Sequence, residues 1–161
     1  MKKLLIVVLP ILILTACVKS GTNTTANCDA VTLTAPASEV ATLRTYLDTN
    51  SIIVTEDSRG FFYHIDSVGN GTKPAICNAV IVDYAGYLLN GTTSFGQGSD
   101  AAFNLNALII GWQEAIPLMA AGSKMTLYLP PSLAYGSQGS GTSIPPNAYL
   151  RFTIALKAVN R

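Results

Sequence analysis

LRFTIALK, residues 150–157, has the clearest pattern in this chain. Its side chains alternate, with Leu150, Phe152, Ile154 and Leu156 on one side and Arg151, Thr153 and Lys157 on the other. A repeat of two residues is typical of a β-strand that buries one face and exposes the other. The pattern therefore predicts a half-buried strand near the carboxyl terminus, and a sheet for it to join.

The same repeat recurs in three earlier segments, which predicts further strands of one sheet. Its apolar members are Phe61, Tyr63 and Ile65 (opposite Phe62, His64 and Asp66), then Val80, Val82 and Tyr84, and finally Met125, Leu127 and Leu129. Turn residues such as SVGNGTKP, residues 67–74, separate these segments. Because no helix of crossover length fits between them, the sheet should be mostly antiparallel.

One helix is predicted inside this region, near residues 110–116 of the stretch IIGWQEAIPLMAAG (109–122), which holds the only tryptophan. Pro117 disfavours α geometry at Ile116 and lacks an N–H donor, so the helix should be short. The apolar side chains that would face the sheet are those of Leu108, Ile109, Trp112 and Ile116. The expected fold class is α+β, a twisted antiparallel sheet wrapped on one short helix.

A second, amphipathic helix is predicted near residues 38–48, within PASEVATLRTYLDTNS (36–51). Ser38 can cap its start. Its apolar residues at helical spacing are Val40, Leu43, Tyr46 and Leu47. We expect this helix to form a short extension, residues 36–59, that packs on the main domain.

The amino terminus predicts export. Lys2 and Lys3 precede a 13-residue apolar run, interrupted by Pro10, that is too short for a comfortable membrane span. The run ends in LTAC, which resembles a bacterial lipobox and implies a signal peptide over 1–16 and lipid attachment at Cys17. Val18, which is not Asp, favours the outer membrane by analogy with enteric bacteria. An ordinary secretory signal with a chance cysteine is the alternative.

Residues 17–35 read as a tether from the membrane, because VKSGTNTTAN (18–27) is polar and small. In an oxidising compartment Cys28 and Cys77 could pair, and two free thiols are the alternative. Without residues 1–16 the chain carries 8 basic and 9 acidic side chains, or −1. Nothing in this balance suggests binding to nucleic acid, which would require a basic face.

The chain is poor in groups for reactive catalysis. His64 is the only histidine, and a lone histidine on a strand is more often a surface residue than a ligand. No spacing indicates a metal site, a nucleophile elbow or a working pair of carboxylates. We therefore expect neither a metal nor a cofactor.

Four sequence blocks resemble, in order, those of FKBP-type peptidyl-prolyl cis-trans isomerases. They are VIVDYAGYLLNG, LIIGWQEAIPLMAAGSK, LYLPPSLAYG and SIPPNAYLRFTIAL, and the similarity covers about residues 60–158. The resemblance implies an FKBP-like domain over 60–161, with five or six antiparallel strands half-wrapped around one short helix. Residues 36–59 lie outside the common domain as an amino-terminal helical extension.

The resemblance also implies a prolyl pocket between helix and sheet. The positions that match it are Tyr84, Phe95, Leu108, Ile109, Trp112, Tyr135, Ile144 and Phe152. Trp112 takes the place of the tryptophan beneath the proline ring, and Tyr135 that of a rim tyrosine with a free hydroxyl. The family uses the backbone N–H at the Ile109 position to hold a carbonyl. Phe103 matches a phenylalanine nearer the core than the site.

One block, NGTTSFGQGSD (90–100), departs from the family pattern, which usually has Phe-Asp here. With one inserted residue Phe95 takes the phenylalanine place and Gly96 the aspartate place; otherwise Ser94 and Phe95 fall there. The carboxylate is absent either way, unless Asp100 folds back. The family's second pocket phenylalanine is also missing, because Ala101 falls near it.

The function implied by the resemblance is acceleration of X–Pro bond rotation in exported, proline-containing polypeptides of the cell envelope. The runner-up is a module of the same fold that binds such segments, or acts as a chaperone, with little catalysis. A third interpretation is a structural lipoprotein domain whose pocket is filled by its own side chains. The sequence does not specify the oligomeric state.

Overall fold

The protein is described by a computed structural model that covers residues 31–160. The predicted signal peptide, Cys17 and Cys28 lie outside the described residues, as does most of the tether. Cys77 takes part in a disulfide, and the two other cysteines of the sequence are among the residues not described. No helix within 31–160 is long and apolar enough to cross a bilayer.

Six strands form one sheet in which every pair is antiparallel. The strands are β1 (Thr55–Glu56), β2 (Phe62–Ser67), β3 (Ala79–Leu88), β4 (Ser94–Asn104), β5 (Lys124–Leu129) and β6 (Leu150–Asn160). Their order across the sheet is β1-β2-β5-β6-β3-β4. The predicted α+β class and the antiparallel sheet are therefore confirmed.

Strand β6 lies at the centre of the sheet, between β3 and β5. Its alternation is confirmed, because Leu150, Phe152, Ile154 and Leu156 are all buried, whereas Thr153 and Lys157 are exposed. Met125, Leu127 and Leu129 of β5 are buried on the same side. These side chains make the inner face of the sheet, the face turned toward the main core.

A short helix, α2 (Ile110–Ala115), packs on the inner face and continues as a 3-10 turn over Ile116–Leu118. The α-helical part stops where predicted. Ile116 nevertheless keeps helical dihedrals (φ −61°, ψ −35°), so the expectation that Pro117 would move Ile116 out of α geometry is wrong. A turn of 3-10 helix accepts Pro117 near its first position because the missing N–H has no partner to lose there. Gly111 lets α2 approach β5, since a Cβ at this position would lie 2.4 Å from Leu129.

The outer face of the sheet is covered at one end by helix α1 (Ala37–Thr49). Leu43 and Leu47 of α1 are buried against Phe62 of β2 and Tyr128 of β5. The predicted helix is confirmed, but its capping by Ser38 is wrong: the helix begins one residue earlier, after Pro36, without a side-chain cap. The extension also supplies β1, which pairs with β2 at the edge of the sheet.

Candidate functional site

A cavity of about 390 Å³ opens between α2 and the inner face of the sheet. It is lined by all eight residues that the sequence placed in the pocket: Tyr84, Phe95, Leu108, Ile109, Trp112, Tyr135, Ile144 and Phe152. They come from three strands, from α2 and the residues before it, and from the long loop between β5 and β6. An open cavity argues against the interpretation in which the protein fills this space with its own side chains.

Trp112 forms the floor of the cavity and is held by three aromatic rings. Its ring centroid lies 5.5 Å from that of Tyr84, 6.3 Å from Phe103 and 5.4 Å from Phe152. The interplanar angles are 84°, 88° and 84°, so all three contacts are edge-to-face, an arrangement that aromatic quadrupoles favour. The indole is almost fully buried, and its Nε1 has no hydrogen-bond partner among the described residues.

A fourth ring extends this aromatic group toward the rim. The Phe95 ring meets that of Phe152 edge-to-face, with centroids 5.7 Å apart. Gly86 of β3 makes this contact possible, because a Cβ there would lie 2.6 Å from Phe95 and 2.7 Å from Phe152. The glycine in DYAGY therefore serves close packing of two pocket rings.

Four further lining residues were not predicted for the pocket: Gly96, Phe103, Ser140 and Ser143. Phe103 packs against the main core and also lines the cavity, where it contacts Tyr84 as well as Trp112. Position 103 falls on β4, and the alternation of that strand was too weak to show which side chains face inward. Ser140 and Ser143 lie in a loop that no sequence periodicity describes.

The cavity is uncharged: no lining residue that the structure describes carries a formal charge. Asp100 does not fold back into it. This exposed residue has a positive φ of 50°, its N–H donates to Asp83 Oδ1 at 2.9 Å, and its carboxylate lies 3.8 Å from Lys157 Nζ. A Cβ at Gly96 would have no heavy atom within 4 Å, so the place of the family's aspartate is open space.

The polar groups at the cavity are hydroxyls, the indole N–H of Trp112 and one backbone donor. Burial raises the pKa of Tyr135, and the nearby Tyr84 raises it further, so Tyr135 remains a neutral hydroxyl able to donate. The N–H of Ile109 has no acceptor in the described part of the chain. A carbonyl inserted above the indole would therefore meet neutral donors only.

Two buried polar side chains follow Trp112 on α2. Gln113 donates from Nε2 to the carbonyl oxygen of Leu108 at 2.7 Å. Glu114 Oε1 accepts the backbone N–H of Leu33 at 2.9 Å, while its Oε2 has no hydrogen-bond partner within residues 31–160. Burial raises the pKa of Glu114, although the Leu33 N–H and nearby Arg59 oppose that rise. Neither contact was predicted. The block that holds both Leu108 and Gln113 does not show where the amide points, and Leu33 lies 81 positions from Glu114.

The outer face offers a larger but shallower trough of about 640 Å³. Its lining includes Asp66, Asp83 and Lys124, and it has no indole floor. His64, on β2, is exposed. The aromatic cavity is therefore the better candidate site, in spite of its smaller volume.

Comparison with known proteins agrees with this geometry. Residues 71–157 match the FKBP-type peptidyl-prolyl cis-trans isomerase family. The chain belongs to this family. The cavity of its FKBP domain lies within that match, since all eight predicted residues fall between positions 84 and 152.

Named relatives match about two thirds of the chain. The chain is 41% identical over 111 residues to FkpA of Aeromonas hydrophila, which covers 67% of this chain and 41% of the relative. It is 39% identical over 107 residues to Mip of Coxiella burnetii, covering 65% and 46%. The chain thus spans about half the length, or less, of the curated relatives it matches.

Solved structures share the fold. A peptidyl-prolyl cis-trans isomerase from Pseudomonas syringae pv. tomato superposes with a TM-score of 0.69 and 33% identity, covering 79% of this chain and 98% of that one. FkpA from Escherichia coli gives a TM-score of 0.68 and 32% identity, covering 77% of this chain and 60% of that one. The FKBP-like architecture predicted from the four sequence blocks is confirmed.

Proposed function

We propose that this protein is a peptidyl-prolyl cis-trans isomerase acting on proline-containing polypeptides. Rotation about a peptide bond has a barrier of about 18–20 kcal/mol, because it breaks the conjugation of the amide. X–Pro bonds populate both isomers but exchange over tens to hundreds of seconds without a catalyst. A catalyst needs only to bind the twisted amide better than the planar one.

The observation that carries the proposal is the uncharged aromatic cavity above Trp112. In the twisted state the nitrogen lone pair leaves the π system, and the amide becomes less dipolar. A desolvated, apolar recess therefore disfavours the planar, dipolar ground state more than the twisted state. The route requires no acid, base or nucleophile, which fits a lining without charged side chains.

Each of the eight residues predicted from the sequence has a proposed role in this reaction. Trp112 supports the pyrrolidine ring, with Tyr84, Phe95 and Phe152 as aromatic walls. Ile144, Leu108 and Ile109 complete the apolar lining. The Ile109 N–H and the Tyr135 hydroxyl are the donors proposed to hold the substrate carbonyl, and a donor aimed at the carbonyl of the twisted amide adds orientation.

A protease-coupled assay on an Ala-Leu-Pro-Phe peptide tests the activity. The protease cleaves only the trans isomer, so the slow phase reports isomerisation. The wild-type protein should shorten that phase in proportion to its concentration. A slow phase that is unchanged at saturating protein would contradict the proposal.

A second candidate function is binding of proline-containing segments with little catalysis. It is favoured by Gly96, which leaves the cavity without the carboxylate that the family usually has there. Two measurements distinguish catalysis from binding alone: peptide affinity, followed by Trp112 fluorescence, and the isomerisation rate in the coupled assay. Binding without acceleration would favour the second candidate.

We further propose that the protein is lipid-anchored at Cys17 in the bacterial envelope and faces the periplasm from the outer membrane. Support comes from the LTAC lipobox and from a relative in Legionella longbeachae, 39% identical over 105 residues, that is named an outer membrane protein. The proposed division is signal peptide 1–16, tether 17–35, extension 36–59 and domain 60–161. Labelling with a fatty-acid analogue should mark the wild type and not Cys17→Ser.

A disulfide between Cys28 and Cys77 is proposed as well. It would close a loop of about 50 residues and contribute roughly 4 kcal/mol on the chain-entropy model. Iodoacetamide should modify neither thiol of the exported protein until a reductant is added. Modification of both thiols without reductant would contradict the pairing.

A further inference from the structure

Gln113 is a buried amide that follows Trp112 on α2 and is only 7% exposed. Its Nε2 donates to the carbonyl oxygen of Leu108 at 2.7 Å and to that of Asn106 at 3.3 Å. Its side chain therefore ties the helix that carries the cavity floor to the segment just before that helix. The shorter bond is made to a residue that lines the cavity.

The Leu108 carbonyl belongs to the same peptide group as the Ile109 N–H. Every described peptide bond is trans, so this N–H points in the direction opposite to the carbonyl that Gln113 holds. Ile109 also lines the cavity, and its N–H has no acceptor within residues 31–160. Because the peptide group is planar, a bond that fixes the direction of the Leu108 carbonyl also fixes the direction of the Ile109 N–H.

Few other bonds hold this peptide group. Leu108 lies between a 3-10 turn at Leu105–Ala107 and α2, with extended backbone (φ −90°, ψ 173°). Its own N–H donates to Leu105 O at 3.2 Å. On the helix side the Ile109 carbonyl accepts from Trp112 N and Gln113 N, at 2.9 and 3.2 Å. Within residues 31–160 the Gln113 side chain makes the only hydrogen bond to the Leu108 carbonyl.

We propose that Gln113 is a positioning residue that aims the Ile109 N–H at the substrate carbonyl in the cavity. The inference rests on the isomerase function proposed above. Hydrogen bonds weaken steeply as the donor angle falls, so a tilt of this peptide plane would cost the bond to the twisted substrate. A bond accepted by the Leu108 carbonyl also polarises the N–H across the same amide.

The test uses two variants and one matched control. Gln113→Met removes the donor at similar length, and Gln113→Glu keeps the shape but offers only acceptor oxygens at neutral pH. Gln97→Glu introduces the same charge at an exposed position on β4. All are measured for kcat, KM, thermal unfolding and the amide proton resonance of Ile109.

Both Gln113 variants should lower kcat about fivefold to thirtyfold, the range expected for loss of one aimed hydrogen bond. KM should change less than twofold, because the apolar lining that binds proline is intact. The Ile109 amide resonance should move upfield in both variants and stay in place in Gln97→Glu. A variant that merely loosened the fold would instead raise KM and lower the unfolding temperature together.

Protonation gives an internal rescue. Below the pKa of its new carboxyl, which burial raises, Gln113→Glu regains an O–H that can donate to Leu108. Its kcat relative to wild type should therefore recover toward acid pH, whereas Gln113→Met should not recover. The wild-type profile corrects for Glu114, the neighbouring carboxyl on α2, whose own pKa is raised.

Wild-type kcat and an unmoved Ile109 resonance in Gln113→Met would overturn the inference. If the wild type itself does not accelerate isomerisation, the proposed function fails, and the inference is judged on that resonance and on peptide affinity. Unchanged affinity and an unchanged resonance in both variants would then contradict the positioning role.

Discussion

The two faces of this sheet use aromatic residues in opposite ways. On the outer face, Phe62 and Tyr128 are covered by Leu43 and Leu47 of α1, and the cluster is closed. On the inner face, rings from three strands meet the indole of Trp112 edge-to-face, and a cavity of about 390 Å³ remains beside them.

This difference suggests that the outer aromatic cluster serves stability and that the inner cavity serves function. A closed aromatic cluster contributes burial, which is the main stabilising term in folding. An open one gives up some of that burial to keep a desolvated recess for a ligand. Substitutions on the outer face should therefore reduce stability, and substitutions at the inner cavity should reduce activity.

The largest effect is expected on the outer face. Leu47→Ala should lower the free energy of unfolding by about 2–4 kcal/mol, because it leaves a void between α1 and the sheet. Denaturant unfolding measures the loss. Activity per folded molecule should stay within twofold of wild type, and a large fall in kcat/KM would show that the two faces are not independent.

At the cavity, Trp112→Leu should lower kcat/KM about tenfold to a hundredfold, or roughly 1.4–2.7 kcal/mol of transition-state stabilisation. The leucine cannot offer the flat floor on which the pyrrolidine rests. The coupled assay measures the change, and circular dichroism checks that the sheet persists. Wild-type turnover would contradict the role of the indole.

A smaller effect is expected for Tyr84→Phe. The ring contacts with Trp112 and Phe103 are retained, and only the hydroxyl is lost. Removing this polar group from the wall of the cavity predicts a fall in kcat/KM of about threefold to tenfold. The same assay measures it, with Tyr87→Phe on the same strand but outside the cavity as the control.

The smallest effect concerns Glu114, where the extension meets the pocket helix. Its folded-state pKa is raised above the ordinary value of 4.5, so the folded protein holds the proton more tightly than the unfolded chain. Stability from this group is complete below that value and is lost as pH rises through the raised pKa. Glu114→Gln keeps an oxygen that accepts the Leu33 N–H, and because the amide does not titrate, its stability should not fall in this way as the pH rises.

Relative to the wild type, Glu114→Gln should therefore gain unfolding free energy as the pH rises from acid to neutral. Urea unfolding of both proteins across pH 4–7 measures the difference. Glu39→Gln is the control, since Glu39 also accepts a backbone N–H, from Ser132 at 3.0 Å, but lies on α1. A constant difference between Glu114→Gln and wild type at all pH values would contradict the assignment.

The sequence predicted what depends on local periodicity. Alternation in residues 150–157 gave the central strand, and the tryptophan after Gly111 gave the cavity floor through the family resemblance. Contacts between segments that are distant in the chain could not be predicted from local periodicity. Phe62 shares a strand face with exposed His64, yet α1 buries it from 15 or more residues away. The Leu33–Glu114 bond spans 81 positions and has no sequence signature.

The measurement that tests the account most directly is an NMR titration of the isotope-labelled protein with a proline-containing peptide. Trp112 is the only tryptophan, so its indole N–H gives a single signal from the cavity floor. We predict that this signal shifts when the peptide binds, and that cis–trans exchange of the peptide accelerates in the same sample. Accelerated exchange with an unmoved indole signal would place the reaction elsewhere, and a shifted signal without acceleration would leave a binding module and contradict catalysis.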